Sequence, residues 1–136
     1  MLPVNEVTIT FESVGEFTKK RFVGDFTFKC VLNNAESMQA AIMADRYNGG
    51  STTLPTEVAL YNRATAELEL RIKSSPKWWS DSDSGRTLLD RGIVFELFNK
   101  SMDAQIKWKE KIAEEAKTIE DTNEKVKAKK AAKKEA

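Results

Sequence analysis

Residues 6–14, EVTITFESV, and residues 21–31, RFVGDFTFKCV, each alternate apolar and polar side chains with a period of two. In the first run Val7, Ile9 and Phe11 fall on one side, with Thr8, Thr10 and Glu12 on the other. In the second, Phe22, Phe26, Phe28 and Cys30 oppose Asp25, Thr27 and Lys29. Alternation rich in β-branched and aromatic residues marks half-buried strands. GEFTKK, residues 15–20, supplies the turn between them, so the two runs predict a β-hairpin. Gly24 inside the second run marks either a bulge or a close backbone approach. A lone hairpin is marginal in water, so its apolar face needs a cover of helices or of another protein's sheet.

The cover follows in the chain. Asn34, or less well Ser37, reads as the N-cap of AESMQAAIMADRY, in which Met38, Ala41, Ile42 and Asp45 recur at helical spacing. Asn48-Gly49-Gly50 stops that helix. A second helix is predicted in STTLPTEVALYNRATAELELRIKSS, capped by Ser51 or Thr53, with Pro55 in its first turn and Glu57 at its positive end. Its stripe is Val58, Tyr61, Thr65, Leu68 and Ile72. Pro76 ends that region, SDSDSG is a polar loop and RTLLD a short turn. From Ile93 to the end there is neither Gly nor Pro. Val94, Leu97, Phe98, Met102 and Ile106 form an apolar stripe suited to docking on the body. Beyond it Ile112, Ala116, Ile119, Asn123 and Val126 alternate four and three apart, as heptad core positions do, with Asn123 in the seam. Two heptads are too few for a coiled coil; the segment reads as a solvated helix or one that docks on a partner. The expectation is therefore α+β: a β-hairpin packed on a small helical bundle over residues 1–108, and a long, charged, basic helical arm over 109–136.

Composition excludes much chemistry. The chain has 136 residues, 40% of them hydrophobic and 32% charged, with formal net charge +1. That balance hides an asymmetry, because the stretch from Lys125 onward holds six lysines and one glutamate. There is no histidine, which removes the commonest general base and zinc ligand. The single cysteine, Cys30, precludes an internal disulfide and a cysteine-rich metal site, and reads as a small buried hydrophobe. Gly49-Gly50-Ser51 lacks the lysine of a phosphate loop. Asp81 and Asp83 do not fit a calcium loop, since Gly85 is misplaced and no glutamate closes the pattern. No catalytic, cofactor-binding or metal-ligating residue is nominated, and a non-enzymatic role is expected. MLPVNEVTITFE lacks the features of a secretion signal, and no window approaches the eighteen apolar residues of a membrane span.

Two features point to binding. Lys125, Lys127, Lys129, Lys130, Lys133 and Lys134 suit phosphates, without sequence preference since no arginine or aromatic accompanies them, or an acidic protein surface; a plain solubilising helix end is the alternative. Trp78 and Trp79 are adjacent and so need two separate burial sites, unless one faces a partner. Trp79 is expected inward and Trp78 at a contact surface, as interface anchors are often tryptophans. With Pro76, Ile112, Ile119 and Val126 they form the candidate partner-binding set.

The order of parts — LPVNEVTITFE, KRFVGDFTFKCVL, two helices, SPKWW, a Gly-containing loop and LLDRGIVFELFNK — resembles a group of small proteins encoded among tailed-bacteriophage structural genes. The matching residues are Pro76, Trp78, Trp79, Leu88, Asp90, Val94 and Glu96, and the likeness covers residues 2–105; the charged helix after Met102 departs from it. The resemblance implies an N-terminal β-hairpin before a helical block. It also implies a part in phage morphogenesis without choosing the step; the reading favoured is a virion component, capsid- or tail-associated, that binds other phage structural proteins in a multi-copy assembly, and is found in the host cytoplasm while particles form. The same resemblance admits a tail-assembly chaperone absent from the mature particle. The lysine tail alone would admit an unspecific DNA-binding protein associated with packaging.

Overall fold

The computed structural model describes residues 4–135, with side chains through Lys130. Two strands, β1 (Val7–Val14) and β2 (Arg21–Phe28), pair antiparallel, with Val7 opposite Phe28 and Val14 opposite Arg21. The pleat sends Thr8, Thr10 and Glu12 outward. There Thr8 pairs with Thr27, the Thr10 hydroxyl donates to Asp25 at 2.8 Å, and Arg21 bridges to Glu12. Phe11, Phe22, Phe26 and Phe28 turn inward and are buried. The α+β architecture read from the alternation is the one observed.

The helices are α1 (Asn34–Tyr47) and α2 (Thr56–Arg71), a one-turn α3 (Lys77–Asp81), and α4 (Arg91–Glu135). A third strand, β3 (Ile72–Ser74), adds to β2 antiparallel, with a shift of register between Thr27 and Phe28. The sequence reading placed Ile72 in the helical stripe. Three residues carry too little alternation to announce a strand, and α2 ends one residue earlier.

Details of capping also differ from expectation. The N-cap of α1 is Asn33, whose side chain accepts the Glu36 N–H at 2.8 Å, while the Glu36 carboxylate accepts the Asn33 N–H at 3.1 Å. That reciprocal capping box satisfies two orphan donors. Pro55 is itself the N-cap of α2, with no side-chain cap bond. On α4 the buried face is Ile93, Val94, Leu97 and Ser101, whereas Ile106 is 53% exposed.

The core is aromatic. Phe26 stacks on Phe28 at 5.9 Å between ring centroids, and meets Phe11 edge-on at 6.0 Å and Trp79 edge-on at 5.8 Å. Leu68, Val94 and Leu97, all fully buried, close around them. Burial stabilises each such side chain by about 1.5–3 kcal/mol, and edge-to-face geometry adds to it. Arg71, 3% exposed, ties the parts together: its guanidinium donates to Glu67 at 2.8 Å, to the Cys30 carbonyl at 2.7 Å and to Gln105.

Contacts divide the chain into two units. One is Asn5–Gln105, holding the sheet, α1 to α3 and the start of α4; the other runs from Ile106 onward and includes Val4. In the second unit the Trp108 indole N–H donates to the Val4 carbonyl at 3.0 Å. No helix among the described residues is long and apolar enough to cross a membrane.

Candidate functional site

The Pro76–Trp79 stretch is a clamp on the inner face of β2. Pro76 caps α3, its carbonyl accepting the Trp79 N–H at 3.1 Å, and its ring lies directly over Gly24. Of the two readings of Gly24, the close approach is correct: it pairs with Phe11 in an unbroken register, and a Cβ there would meet Pro76. Adjacent positions on α3 then carry the two indoles in different directions, as the helical rotation requires.

Trp79 goes into the core and is 3% exposed. Gly85, at φ +83°, presses against its six-membered ring, and the Tyr61 hydroxyl donates to the Gly85 carbonyl. Burial raises the Tyr61 hydroxyl pKa to about 12, with nearby Arg91 opposing. Trp78 turns the other way. Its ring packs on Phe22 at 5.0 Å, Phe26 at 5.6 Å and Phe11 at 6.1 Å, and its indole N–H donates to the Val23 carbonyl at 3.0 Å. One edge stays open, leaving the side chain half-buried. The sequence reading set Trp78 at a contact surface; most of that ring is instead spent covering the hairpin.

The open edge of Trp78 lines a groove of about 430 Å³ with Phe22, Leu88 and Leu89. Lys20 and Arg21 also line it, as does Asp81. One end is built by Asp90, a residue 2% exposed that precedes α4. Its carboxylate accepts the Phe17 N–H at 2.6 Å, the Thr18 N–H at 3.2 Å and the Thr18 hydroxyl. The Thr18 bond, with the two N–H donors and Lys19 adding to it, holds the Asp90 pKa below its ordinary value of 3.8 against the opposing effect of burial. Thus Asp90 fixes the hairpin turn, and the Ser13 hydroxyl, donating to Glu96 at 2.7 Å, ties β1 to the same helix. Both acidic residues hold the hairpin.

Fixing the turn presents its tip to solvent. Phe17 is 72% exposed and Leu89, beside Asp90 in the chain, 75%. The hydrogen bond from Phe17 to Asp90 therefore brings two large bare apolar side chains onto adjoining backbone, next to the groove. Sequence reasoning missed both residues. An aromatic in the otherwise polar turn GEFTKK was the available signal.

A second cleft, about 740 Å³, lies between α1 and α2 over Ala40, Ala44 and Ala59, and has no aromatic in its lining. Among the described residues no cluster of acidic or cysteine side chains is suited to a metal, and no buried side-chain nitrogen or oxygen lacks a partner. Ile112, Ile119 and Val126 lie on α4 in the second unit, away in sequence from the clamp; Ile119 is 48% and Val126 45% exposed. Lys125, Lys127, Lys129 and Lys130 are exposed, and Lys133 and Lys134 fall outside the residues whose side chains are described.

No protein-family model, curated protein or solved structure matches this chain.

Proposed function

We propose that this chain is a non-enzymatic structural protein of a tailed-bacteriophage virion, binding neighbouring virion proteins in a multi-copy assembly. The observation that carries the reading is the surface beside the clamp: Phe17 and Leu89 bare at 72% and 75% exposure, next to a groove walled by Trp78, Phe22 and Leu88. Clustered apolar side chains with a charged rim are the features of a surface kept for a partner. The likeness of the Pro-Lys-Trp-Trp stretch, Asp90 and Glu96 to phage structural proteins supplies the kind of partner. The chemistry here is association: the buried polar groups described above serve the fold itself.

Mass spectrometry of purified particles, with copy number, tests the proposal. The chain is expected among the particle proteins at a fixed stoichiometry. Its presence only in unassembled lysate, bound to a tail protein, would replace this reading with that of an assembly chaperone.

A further inference from the structure

We propose that the end of α4, from Lys125 onward, holds the phosphate backbone of nucleic acid without sequence preference, and that its helix firms on doing so. This goes beyond the virion reading and rests on other residues, so neither stands or falls with the other. Residues 125–136 consist of six lysines, four alanines, one valine and one glutamate. That is a net +5 in a chain whose total is +1, so residues 1–124 carry −4. An acidic body repels a polyanion, which leaves this end of the helix as its point of contact. Lys125, Lys127, Lys129 and Lys130 are exposed, and none of the ion pairs among the described residues involves them.

Charge spacing separates this segment from the rest of the arm. Residues three or four apart on a helix are neighbours, and like charges there destabilise it. From Glu110 to Lys127 every charged residue has an opposite charge three or four positions away: Lys111 has Glu114 and Glu115, Lys117 has Glu120 and Asp121, and Glu124 has Lys127. Beyond Lys127 that matching stops. Lys129, Lys130, Lys133 and Lys134 have only lysine, alanine and valine at those positions, so Lys125, Lys129 and Lys133 repel along one row, and Lys130 and Lys134 along another. At about 100° per residue the six lysine positions fall within an arc of about 200°, with Glu120, Asp121 and Glu124 outside it. One side of the helix end is therefore cationic, and its charge is relieved by anions from outside the chain.

Composition names those anions. Protein interfaces are poor in Lys, Ala and Glu and build on aromatic, Met and Arg anchors, none of which residues 125–136 contain. Phosphate contact needs only cations, and each one held releases counterions. With no Arg, Asn, Gln or aromatic beside the lysines, base edges go unread.

The test is binding of the full chain to fluorescent duplexes of DNA and of RNA, each in two unrelated sequences, between about 50 mM and about 200 mM salt. Equal affinity for the two sequences is expected. For DNA, log K should fall against log salt with a slope of roughly −3.6 to −5.4, as four to six phosphate contacts require. Binding of either duplex supports the contact, and the tighter one names the source. The full-chain variant Lys129→Gln/Lys130→Gln/Lys133→Gln/Lys134→Gln should bind at least about tenfold more weakly, while the near-ultraviolet signal of its aromatic core stays unchanged. At low salt the duplex should raise the helical circular-dichroism signal of the wild type and not that of the variant. No binding at about 50 mM salt, an affinity indifferent to salt, equal binding by the variant, or no gain of helix would overturn the proposal. So would equally tight binding of poly-glutamate, which would assign the lysines to an acidic protein surface.

Discussion

Gly24 and Pro76 meet where a side chain is missing: a Cβ on Gly24 would lie 2.5 Å from the Pro76 Cβ and 2.6 Å from its Cγ. Neither atom can give way, because the pyrrolidine ring is rigid and β2 is pinned between its neighbours. Gly24→Ala should therefore destabilise the protein by about 1–3 kcal/mol through overpacking, read from urea unfolding. Adding Pro76→Gly should recover part of that loss, since it removes the clashing ring. Simple additivity of the two would contradict the contact.

The paired tryptophans should respond unequally. Trp79→Ala removes a fully buried ring and should cost about 3–5 kcal/mol. Trp78→Phe keeps an aromatic on Phe22 and Phe26 but loses the indole N–H to the Val23 carbonyl, and should cost about 1 kcal/mol. Denaturant midpoints of the two variants check the order.

Arg71 is buried, and among the described residues its guanidinium donates to Glu67, Gln105 and main-chain carbonyls. Arg71→Met strands the Cys30 carbonyl and the Glu67 carboxylate, so a loss of about 3–5 kcal/mol is expected. The accompanying variant Glu67→Gln, which keeps an acceptor for the guanidinium, should cost clearly less. Equal losses in the two would show that the guanidinium is not the organising group.

Acid should weaken the hairpin turn. The Asp90 carboxyl is held below 3.8 mainly by the Thr18 hydroxyl, and that of Glu36 below 4.5 mainly by Lys29. The unfolded chain then binds more protons than the folded one in this range. Both groups contribute their stability above these values and lose it as pH falls through the lower folded-state pKa. Stability measured from pH 7 down to about pH 2 should drop below about pH 4.5. Asp90→Asn should be less stable at pH 7 and show a shallower drop.

The strands were legible because alternation over eight or more residues leaves one solution, and the helices because Asn48-Gly49-Gly50 and Pro76 punctuate them. The third strand was not, since Ile72-Lys73-Ser74 takes its conformation from pairing with Phe28 and Thr27 rather than from its own pattern. The clamp was visible as a distinctive tetrapeptide, but its target was not. Nothing local says that Pro76 lies on Gly24 or that Trp78 reaches Val23, across 52 and 55 residues of chain respectively. The bare tip was hidden for a similar reason: Phe17 is exposed because Asp90, 73 residues away, holds its backbone.

The central claim is that the bare surface at the hairpin tip is kept for a neighbour in the particle. The most direct measurement compares particle incorporation of the wild-type chain with that of Phe17→Ser/Leu89→Ser, both quantified by mass spectrometry of purified particles. Surface changes of this kind alter stability by only about 0.5 kcal/mol each, and urea unfolding verifies that the variant is folded. The account predicts wild-type chain in the particle and a folded variant left behind in the lysate. Equal incorporation of the two, or absence of the wild-type chain from particles, would contradict it.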